Sequence, residues 1–514
     1  MKQLRILTFI LSFGVMNSVS AKLVQIIHTN DLHSYFTGSR NGNGGYARLK
    51  TKIDELRAEA SSKGIPSLYL DAGDFGEGSS FYFSNEGSDS LRALDILGVD
   101  ATVLGNHDYI LGGTELARQI RVAKLKTPIL SANLEGKFLM GLEGVMPDFK
   151  DFIIDGLKIR VFGLTTTEVH FQYPLRPLGF ISSAHKAAVR MANKGLKENV
   201  DFMVALTHTG LATDSSLVKK THSIDLIVGG HDHYRFNEPV MVPNLNGELI
   251  PIVQTGAHGA AVGSLIMDIQ GKGDAKVVDY KLHDITPDIP EDHETREFVG
   301  SAYINRNIYF GRSFEDVIGI STIPLSGTGA GGDNQKTCWS RHVARITRNV
   351  AQADLGMQFD IFQGEQIPAG EIRFGDLVDN FPHFRKWGDK GWSISRATIN
   401  GWVLKNALRF LNGPGAYISV TMDGLGARNS TDKKIVPYTI KTHTPEMALV
   451  NGEPIRNMQF YTLAIPSEIP YGFGNITAIG KVILWGAKKI PNSDYWGLLE
   501  KYIRENSPLK CLED

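Results

Sequence analysis

Short polar clusters of histidine and aspartate recur in the first half of this 514-residue chain, each at the end of an apolar run. In "VLGNHDYILGG", residues 103–113, an amide, an imidazole and a carboxylate stand side by side as Asn106, His107 and Asp108. An ordinary polar turn would explain this stretch, because Gly105 and Asn106 suit a tight turn. The same groups, however, are the ones that bind metal ions and move protons.

Four more clusters of this kind occur between residues 28 and 233. They supply Asp31 and His33 in "HTNDLH", Asp74 in "LDAGD", His208 in "LTHTG", and His231 and His233 in "GGHDH". Each residue by itself has a simpler interpretation, as a turn residue, a helix cap or a buried histidine. Their joint occurrence, in order and at successive strand ends, indicates one shared site.

The residue types in these clusters indicate what the site would bind. The set contains no thiolate, which excludes a structural zinc site built on cysteine. Imidazole, carboxylate and amide oxygen together suit Mn, Zn, Fe, Co or Ni rather than Ca or Mg alone. There are too many ligands for one ion and enough for two. Two ions need a shared anionic ligand, which a carboxylate such as Asp74 can supply.

The elements that must position these groups are short strands alternating with helices. From residue 22 to about 290, apolar runs such as "LVQIIHTND" and "DFMVALTHTG" are typical of strands, and Leu49, Ile53 and Leu56 have helical spacing. This alternation predicts an α/β layered domain, whose strand ends converge on one edge. We expect a connecting helix over 291–312 and a second, smaller α/β domain over 313–514.

Residues 1–21 are typical of a signal peptide. Lys2 and Arg5 precede an apolar core, "ILTFILSFGVM", and "VSA" predicts cleavage before Lys22. A retained N-terminal anchor is the alternative. We therefore expect a periplasmic or secreted protein with no membrane association after cleavage. Cys338 and Cys511 could form a disulfide in such a compartment or remain two free thiols.

The overall charge sets limits on the partners. The chain carries 54 basic and 55 acidic residues, for a formal net charge of −1. This balance does not suggest a nucleic-acid polymer as a partner. The Gly-rich stretch "LSGTGAGGDNQ" in the second domain could cradle phosphate, but the Lys-Ser/Thr of a P-loop does not follow it. A flexible surface loop is the preferred interpretation.

The ordered motifs "DLH", "GD", "GNHD", "THTG" and "GHDH" resemble those of the calcineurin-like metallophosphoesterases. Their wider setting is similar to the exported 5′-nucleotidase and UDP-sugar hydrolase branch. The resemblance is dense over about 22–290 and implies a four-layer α/β-β/α catalytic domain followed by a substrate-binding domain.

The same resemblance implies a role for each motif residue. The first metal would be held by Asp31, His33, Asp74 and His233. The second would be held by Asp74, Asn106, His208 and His231, with Asp74 shared between the two. His107 would not be a ligand but would face the phosphoryl group.

A mechanism follows from the charges. Two divalent cations would neutralise the phosphate oxygens and lower the pKa of a shared water, so that a hydroxide attacks phosphorus in line with the leaving oxygen. Protonated His107 would stabilise the departing oxygen. In the family an Asp three places after this His orients the imidazole, but here Ile110 occupies that place. We therefore expect the pKa of His107 to fall towards about 6.5, unless another acid such as Asp108 or Glu77 replaces the missing partner.

The second domain departs from the family pattern. The Asn-Gly-Gly-x-Ile-Arg segment is replaced by "IFQGEQIPAG", and both stretches that carry the nucleobase-stacking Phe residues are altered. Arg345 and Arg348 could meet a phosphate, or simply lie on an exposed helix face. A different stacking surface could come from His383, Phe384, Tyr471 and Phe473.

These observations predict an exported dinuclear phosphoesterase that acts on nucleoside monophosphates or related small phosphoesters. One alternative is hydrolysis of a non-nucleotide ester, including a thiosulfohydrolase-like reaction. Another is a binding protein with a vestigial site.

Overall fold

The computed structural model describes residues 22–40, 42–167, 175–325, 338–360, 363–413, 420–428, 434–438, 440, 442–468 and 486–511. The predicted signal peptide, the Gly-rich stretch beyond Leu325, and Tyr471 and Phe473 lie outside these residues. Across the described ranges, no helix combines the length and apolar character needed to cross a membrane.

Strands and helices alternate through the first part of the chain, as the apolar patterning predicts. In chain order the strands are β1 (Leu23–Thr29), β2 (Ser67–Asp71), β3 (Ala101–Val103), β4 (Ile129–Leu130), β5 (Leu134–Glu135), β6 (Phe149–Ile154), β7 (Leu157–Thr165), β8 (Phe180–Ile181), β9 (Phe202–His208), β10 (Leu226–Val228), β11 (Val240–Pro243), β12 (Leu249–Val253), β13 (Ala261–Gly271) and β14 (Asp274–Asp284). The helices are α1 (Tyr46–Ser62), α2 (Ser88–Leu97), α3 (Gly113–Ala123), α4 (Lys137–Met140), α5 (Ala184–Lys197), α6 (Leu211–Val218) and α7 (His293–Phe310).

Two six-stranded sheets form the centre of this part. Their strand orders are β14-β13-β1-β2-β3-β4 and β11-β12-β10-β9-β7-β6. The strands from β1 to β4 run parallel, as do β7, β9, β10 and β12. Parallel order brings the carboxyl ends of these strands to one edge of each sheet, where α/β proteins build their sites.

The two sheets pack face to face over a dry core. Ile26 and Leu70 of the first sheet share one apolar cluster with Val161, Val204 and Val228 of the second. Helices α1, α2 and α3 cover the outer face of the first sheet, and α5 and α6 cover that of the second. The predicted four-layer α/β-β/α arrangement is therefore confirmed.

The remainder of the chain forms a second α/β region. Its strands are β15 (Val317–Ser321), β16 (Leu355–Phe359), β17 (Gly370–Arg373), β18 (Ile394–Asn400), β19 (Val420–Asp423), β20 (Leu425–Arg428), β21 (Ile435–Pro437), β22 (Ala448–Val450), β23 (Glu453–Pro454), β24 (Phe460–Pro466) and β25 (Lys488–Lys489). The helices are α8 (Cys338–Ala351), α9 (Phe374–Asn380), α10 (Gly401–Asn412) and α11 (Tyr495–Asn506). Its largest sheet has the order β19-β16-β24-β18-β25.

The two regions meet through an apolar contact. Tyr82 and Phe83, from the loop after β2, belong to the same core cluster as Phe384 and Trp496 of the C-terminal region. This contact brings the loop after β2 directly against the second α/β region.

Cys338 and Cys511 form a disulfide, with their Cα atoms 5.2 Å apart. The bond closes a loop across a sequence separation of 173 residues. It ties the end of the chain to the start of α8, as one of the two sequence-based alternatives expects.

Candidate metal centre

Two groups of metal-binding side chains lie at the carboxyl ends of the parallel strands. Asp31, His33 and His233 form one group, and Asp74, His208 and His231 form the other. In each group the ligand atoms lie within 4.8 Å of one another. The structure therefore contains two candidate sites, consistent with the predicted pair of divalent metal ions.

The two groups adjoin each other. Nε2 of His208 lies 3.0 Å from Oδ2 of Asp74 and 3.9 Å from Oδ1 of Asp31. Nε2 of His33 lies 3.9 Å from Oδ1 of Asp31 and 3.8 Å from Oδ2 of Asp74. The two aspartates thus stand between the histidines of both groups, as a carboxylate shared by two ions requires.

The backbone holds these residues in an uncommon conformation. Five of them have positive φ angles although none is glycine: Asp31 (53°), His33 (48°), Asp74 (53°), His231 (87°) and His233 (57°). Each such residue costs on the order of 1–3 kcal/mol and persists only where the surrounding structure enforces it. Strain concentrated at one point in this way is typical of a functional site.

Hydrogen bonds to the backbone fix the orientation of two imidazoles. Nδ1 of His33 is 2.6 Å from the carbonyl oxygen of Glu77, and Nδ1 of His208 is 2.7 Å from that of Ala72. Each contact places a proton on Nδ1, so that in the neutral imidazole, the form that binds a metal, Nε2 is unprotonated and turned to the centre. This is the tautomer that a metal ligand needs.

The electrostatics of the centre favour bound cations. Burial opposes a charged imidazole at His208, but Asp74 and Asp31 outweigh it and raise its pKa to about 10. The carboxylates therefore create a point at which positive charge is stable. Oδ1 of Asn106 is buried and has no hydrogen-bond partner among the described residues. An unpaired buried acceptor beside two carboxylates fits a metal ligand.

Asp108 holds the turn that carries Asn106 and His107. Its Oδ2 accepts hydrogen bonds from the backbone N–H of Gly105 (2.7 Å) and Asp74 (3.0 Å), and its Oδ1 accepts from Gly76 (2.8 Å). A Cβ at Gly105 would lie 2.1 Å from Oδ1 of Asp74, so only glycine allows the two loops to approach this closely. Asp108 is therefore a structural link between loops and not a partner of the His107 ring.

His107 lies beside the metal groups. Its backbone N–H donates to Oδ1 of Asp74 at 2.8 Å, and its ring is 4.9 Å from that of His33. Its Nδ1 makes a short contact with Oε2 of Glu77, a fully buried carboxylate.

Of the two alternatives predicted for His107, the structure shows the one in which another acid, Glu77, replaces the missing partner. Burial opposes the charged form of its ring, but Asp74 and Glu77 outweigh it and raise the pKa of His107 to about 9. The imidazole is therefore protonated at neutral pH. Glu77 supplies the carboxylate that Ile110 cannot, because the loop after β2 packs against residues 103–113.

Two further residues support the site without being identified from the sequence. The amide of Asn30 donates to Oδ2 of Asp31 at 2.6 Å and to the carbonyl of Gly256, also at 2.6 Å. His258 stacks on Tyr35 with ring centres 3.9 Å apart, and its ring lies 5.7 Å from that of His33. Asn30 lies within "HTNDLH", and His258 lies in the stretch "VQTGAHG", residues 253–259. For Asn30, proximity to a motif is the only signal that could have found it.

The two arginines predicted to meet a phosphate lie on one helix of the second region. Arg345 and Arg348 of α8 share one carboxylate, that of Asp423, at 3.4 Å and 2.9 Å, so both side chains are engaged within the second region. Their contact with a phosphate stays a prediction.

The structure does not support a stacking role for two of the proposed residues. Phe384 is only 2% exposed and packs on Phe83 with ring centres 4.5 Å apart, so it is a core residue. His383 stacks on Trp392, and its Nδ1 lies 2.8 Å from Oε1 of Glu77. Neither ring offers an open face to a nucleobase, because packing within the chain already covers them.

Comparisons with known proteins agree with this geometry. The family model for calcineurin-like phosphoesterases matches residues 24–235. A snake venom 5′-nucleotidase from Gloydius brevicauda is 29% identical over 327 residues, which are 59% of this chain and 54% of that protein. The chain thus spans about half the length of the curated relatives it matches.

Two solved structures share the fold over nearly the whole chain. A 5′-nucleotidase precursor from Thermus thermophilus superimposes with a TM-score of 0.77 at 20% identity, covering 96% of this chain and 98% of that one. A sulfate thiohydrolase from the same organism gives a TM-score of 0.72 at 15% identity, covering 96% and 95%.

Proposed function

We propose that this chain, whose residues 24–235 match the family model for calcineurin-like phosphoesterases, is an exported dinuclear hydrolase of nucleoside monophosphates or related phosphoesters. The observation that carries the proposal is the pair of adjoining metal groups with His107 beside them. Relatedness to 5′-nucleotidases supports the substrate class.

The first ion would be held by Asp31, His33, Asp74 and His233. The second would be held by Asp74, Asn106, His208 and His231. Two bound divalent cations supply neutralisation of the phosphoryl oxygens and a water of lowered pKa. The side chain of His233 is 43% exposed, which leaves the centre open to a substrate.

His107 would act on the leaving group. With its Nδ1 held by Glu77, Nε2 is the ring nitrogen that remains to donate a proton to the departing oxygen. Glu77, which lies outside both metal groups, bonds to Nδ1 and favours the charged form of the imidazole. This charge lets it stabilise negative charge on the leaving oxygen without a further proton source.

Export is supported by two features of the chain. Residues 1–21 have the composition of a signal peptide. The Cys338–Cys511 disulfide is of the kind that persists in the periplasm or outside the cell, since cytosolic thiols are kept reduced.

The proposal is tested by offering the purified protein AMP, a UDP-sugar, bis-p-nitrophenyl phosphate and a thiosulfate ester. We expect hydrolysis of the phosphorus esters and its loss in the presence of a metal chelator. Turnover of the thiosulfate ester alone would favour the thiosulfohydrolase-like reaction. A protein that binds metals but hydrolyses none of these compounds would favour a binding protein with a vestigial site.

We also predict weak discrimination among nucleobases. Phe384 is buried and His383 is engaged by Glu77 and Trp392, so neither is free to stack on a base. The ratio of kcat/KM for AMP to that for p-nitrophenyl phosphate should therefore stay below about tenfold, or about 1.4 kcal/mol in transition-state binding. A larger preference for AMP would mean that other residues have rebuilt a nucleobase site.

A further inference from the structure

Both carboxylate oxygens of Glu77 are occupied by histidines from different parts of the chain. Oε2 contacts Nδ1 of His107 next to the metal groups, and Oε1 lies 2.8 Å from Nδ1 of His383 in the C-terminal region. Glu77 is 0% exposed. A buried carboxylate with two charged or hydrogen-bonding partners is fixed in orientation, because neither oxygen can turn away without losing a bond.

His383 is itself held firmly by its own region. Its ring stacks on Trp392 with centres 4.9 Å apart and planes 24° from parallel, and the ring edge faces Phe381 at 6.1 Å. The residue is 8% exposed. The position of Nδ1 of His383 is therefore set by packing within the C-terminal region and not by the metal centre.

We propose that His383 is a positioning residue for His107, acting through Glu77. The inference rests on the proposed function, since it assigns His383 to the same reaction. The C-terminal region thereby supplies part of the machinery that orients the imidazole, in place of the acid that would stand at Ile110. Catalysis then depends on the two regions being docked, because the bond between Glu77 and His383 exists only across their contact.

A purely structural role for the same contact is the competing explanation. In that case Glu77 and His383 would simply hold the two regions together. Removing another hydrogen bond between the regions would then reduce activity by a similar factor. The bond from Nε1 of Trp387 to Oε1 of Glu115, at 2.6 Å, is such a contact and touches neither Glu77 nor a metal group. It offers a matched control.

The test uses three variants of the full chain, with kcat and KM measured on AMP and on p-nitrophenyl phosphate and metal content determined for each. His383→Phe keeps a ring on Trp392 but removes the donor to Glu77. His383→Asn places an amide nitrogen where Nδ1 stood. Trp387→Phe removes the control bond. Should His383→Phe fail to fold, His383→Gln replaces it, since its amide nitrogen corresponds to Nε2 instead.

We expect His383→Phe to lose about 10–100-fold in kcat on AMP, the range typical of residues that orient a catalytic group. The loss should be smaller on p-nitrophenyl phosphate, because nitrophenolate leaves with little help from a proton donor. KM and metal content should stay near the wild-type values. His383→Asn should recover much of the rate, and Trp387→Phe should resemble the wild type.

Equal losses on both substrates would overturn the proposal, as would a His383→Asn variant no better than His383→Phe, or a Trp387→Phe variant as impaired. Each of those results means that the contact is structural. Failure of the proposed function is distinguishable, because the wild-type protein would then hydrolyse neither phosphoester, and the inference would fall with it.

Discussion

Asp74→Asn should lose most of the metal and nearly all of the phosphoesterase activity. Asp74 lies against His208 of one metal group and His33 of the other, so the substitution removes the negative charge that both ions would share. Burial alone would raise the pKa of this carboxyl, but His208 and His107 hold it well below its usual range. We expect a fall in kcat/KM of about a thousandfold or more, equivalent to the several kcal/mol that metal ions contribute.

The measurement is metal content by mass spectrometry together with steady-state kinetics on a phosphoester. Asp225→Asn is a matched control, because Asp225 accepts from the backbone N–H of Met203 and burial raises its pKa to about 7. An amide there should leave metals and rate unchanged. Two ions per chain and near-normal activity in Asp74→Asn would rule out a shared carboxylate.

His107→Gln should keep its metals but turn over slowly. His107 lies beside the metal groups without belonging to either, and its ring is oriented by Glu77. Loss of a proton donor costs about 10²–10⁴-fold in rate. We expect the larger value with AMP, whose leaving alkoxide needs a proton, and the smaller value with p-nitrophenyl phosphate.

The pH profile gives a second readout of the same role. The role of His107 needs the protonated ring, whose pKa is raised to about 9, so the wild-type rate should decline as pH rises through that value. The variant should lack this decline. A variant with identical losses on both substrates, or with the wild-type alkaline limb, would remove His107 from the leaving-group step.

The metal groups could be predicted from sequence because of how parallel strands are built. Asp31, Asp74, Asn106 and His231 each follow an apolar strand, and His208 ends one. Strand ends in such sheets converge on one edge, so residues far apart in sequence become neighbours. Periodicity and residue type placed them at one edge of the sheets, and the family resemblance divided them between two ions.

The partner of His107 could not be assigned in the same way. Glu77 is 30 residues away from it in sequence, in a loop whose path is set by packing of Phe83 against the C-terminal region. The sequence suggested a missing acid at Ile110 and named Glu77 only as one possible substitute. A tertiary contact of this kind leaves no periodic signal.

The second region was the harder part to predict for the same reason. Phe384 is apolar and follows a polar residue, which is compatible with either a binding face or a core. Only the three-dimensional contacts show that Phe83 and Trp387 cover it. Arg345 and Arg348 likewise meet Asp423, which lies more than 70 residues away in sequence.

The central claim, a hydrolase that works with two ions per chain, is tested most directly by titrating metal-free protein with Mn²⁺ or Co²⁺ while following AMP or bis-p-nitrophenyl phosphate hydrolysis. Two groups of ligands predict that activity rises until two equivalents are bound per chain and then stays constant. Full activity at one equivalent, or hydrolysis that persists without metal, would contradict the account.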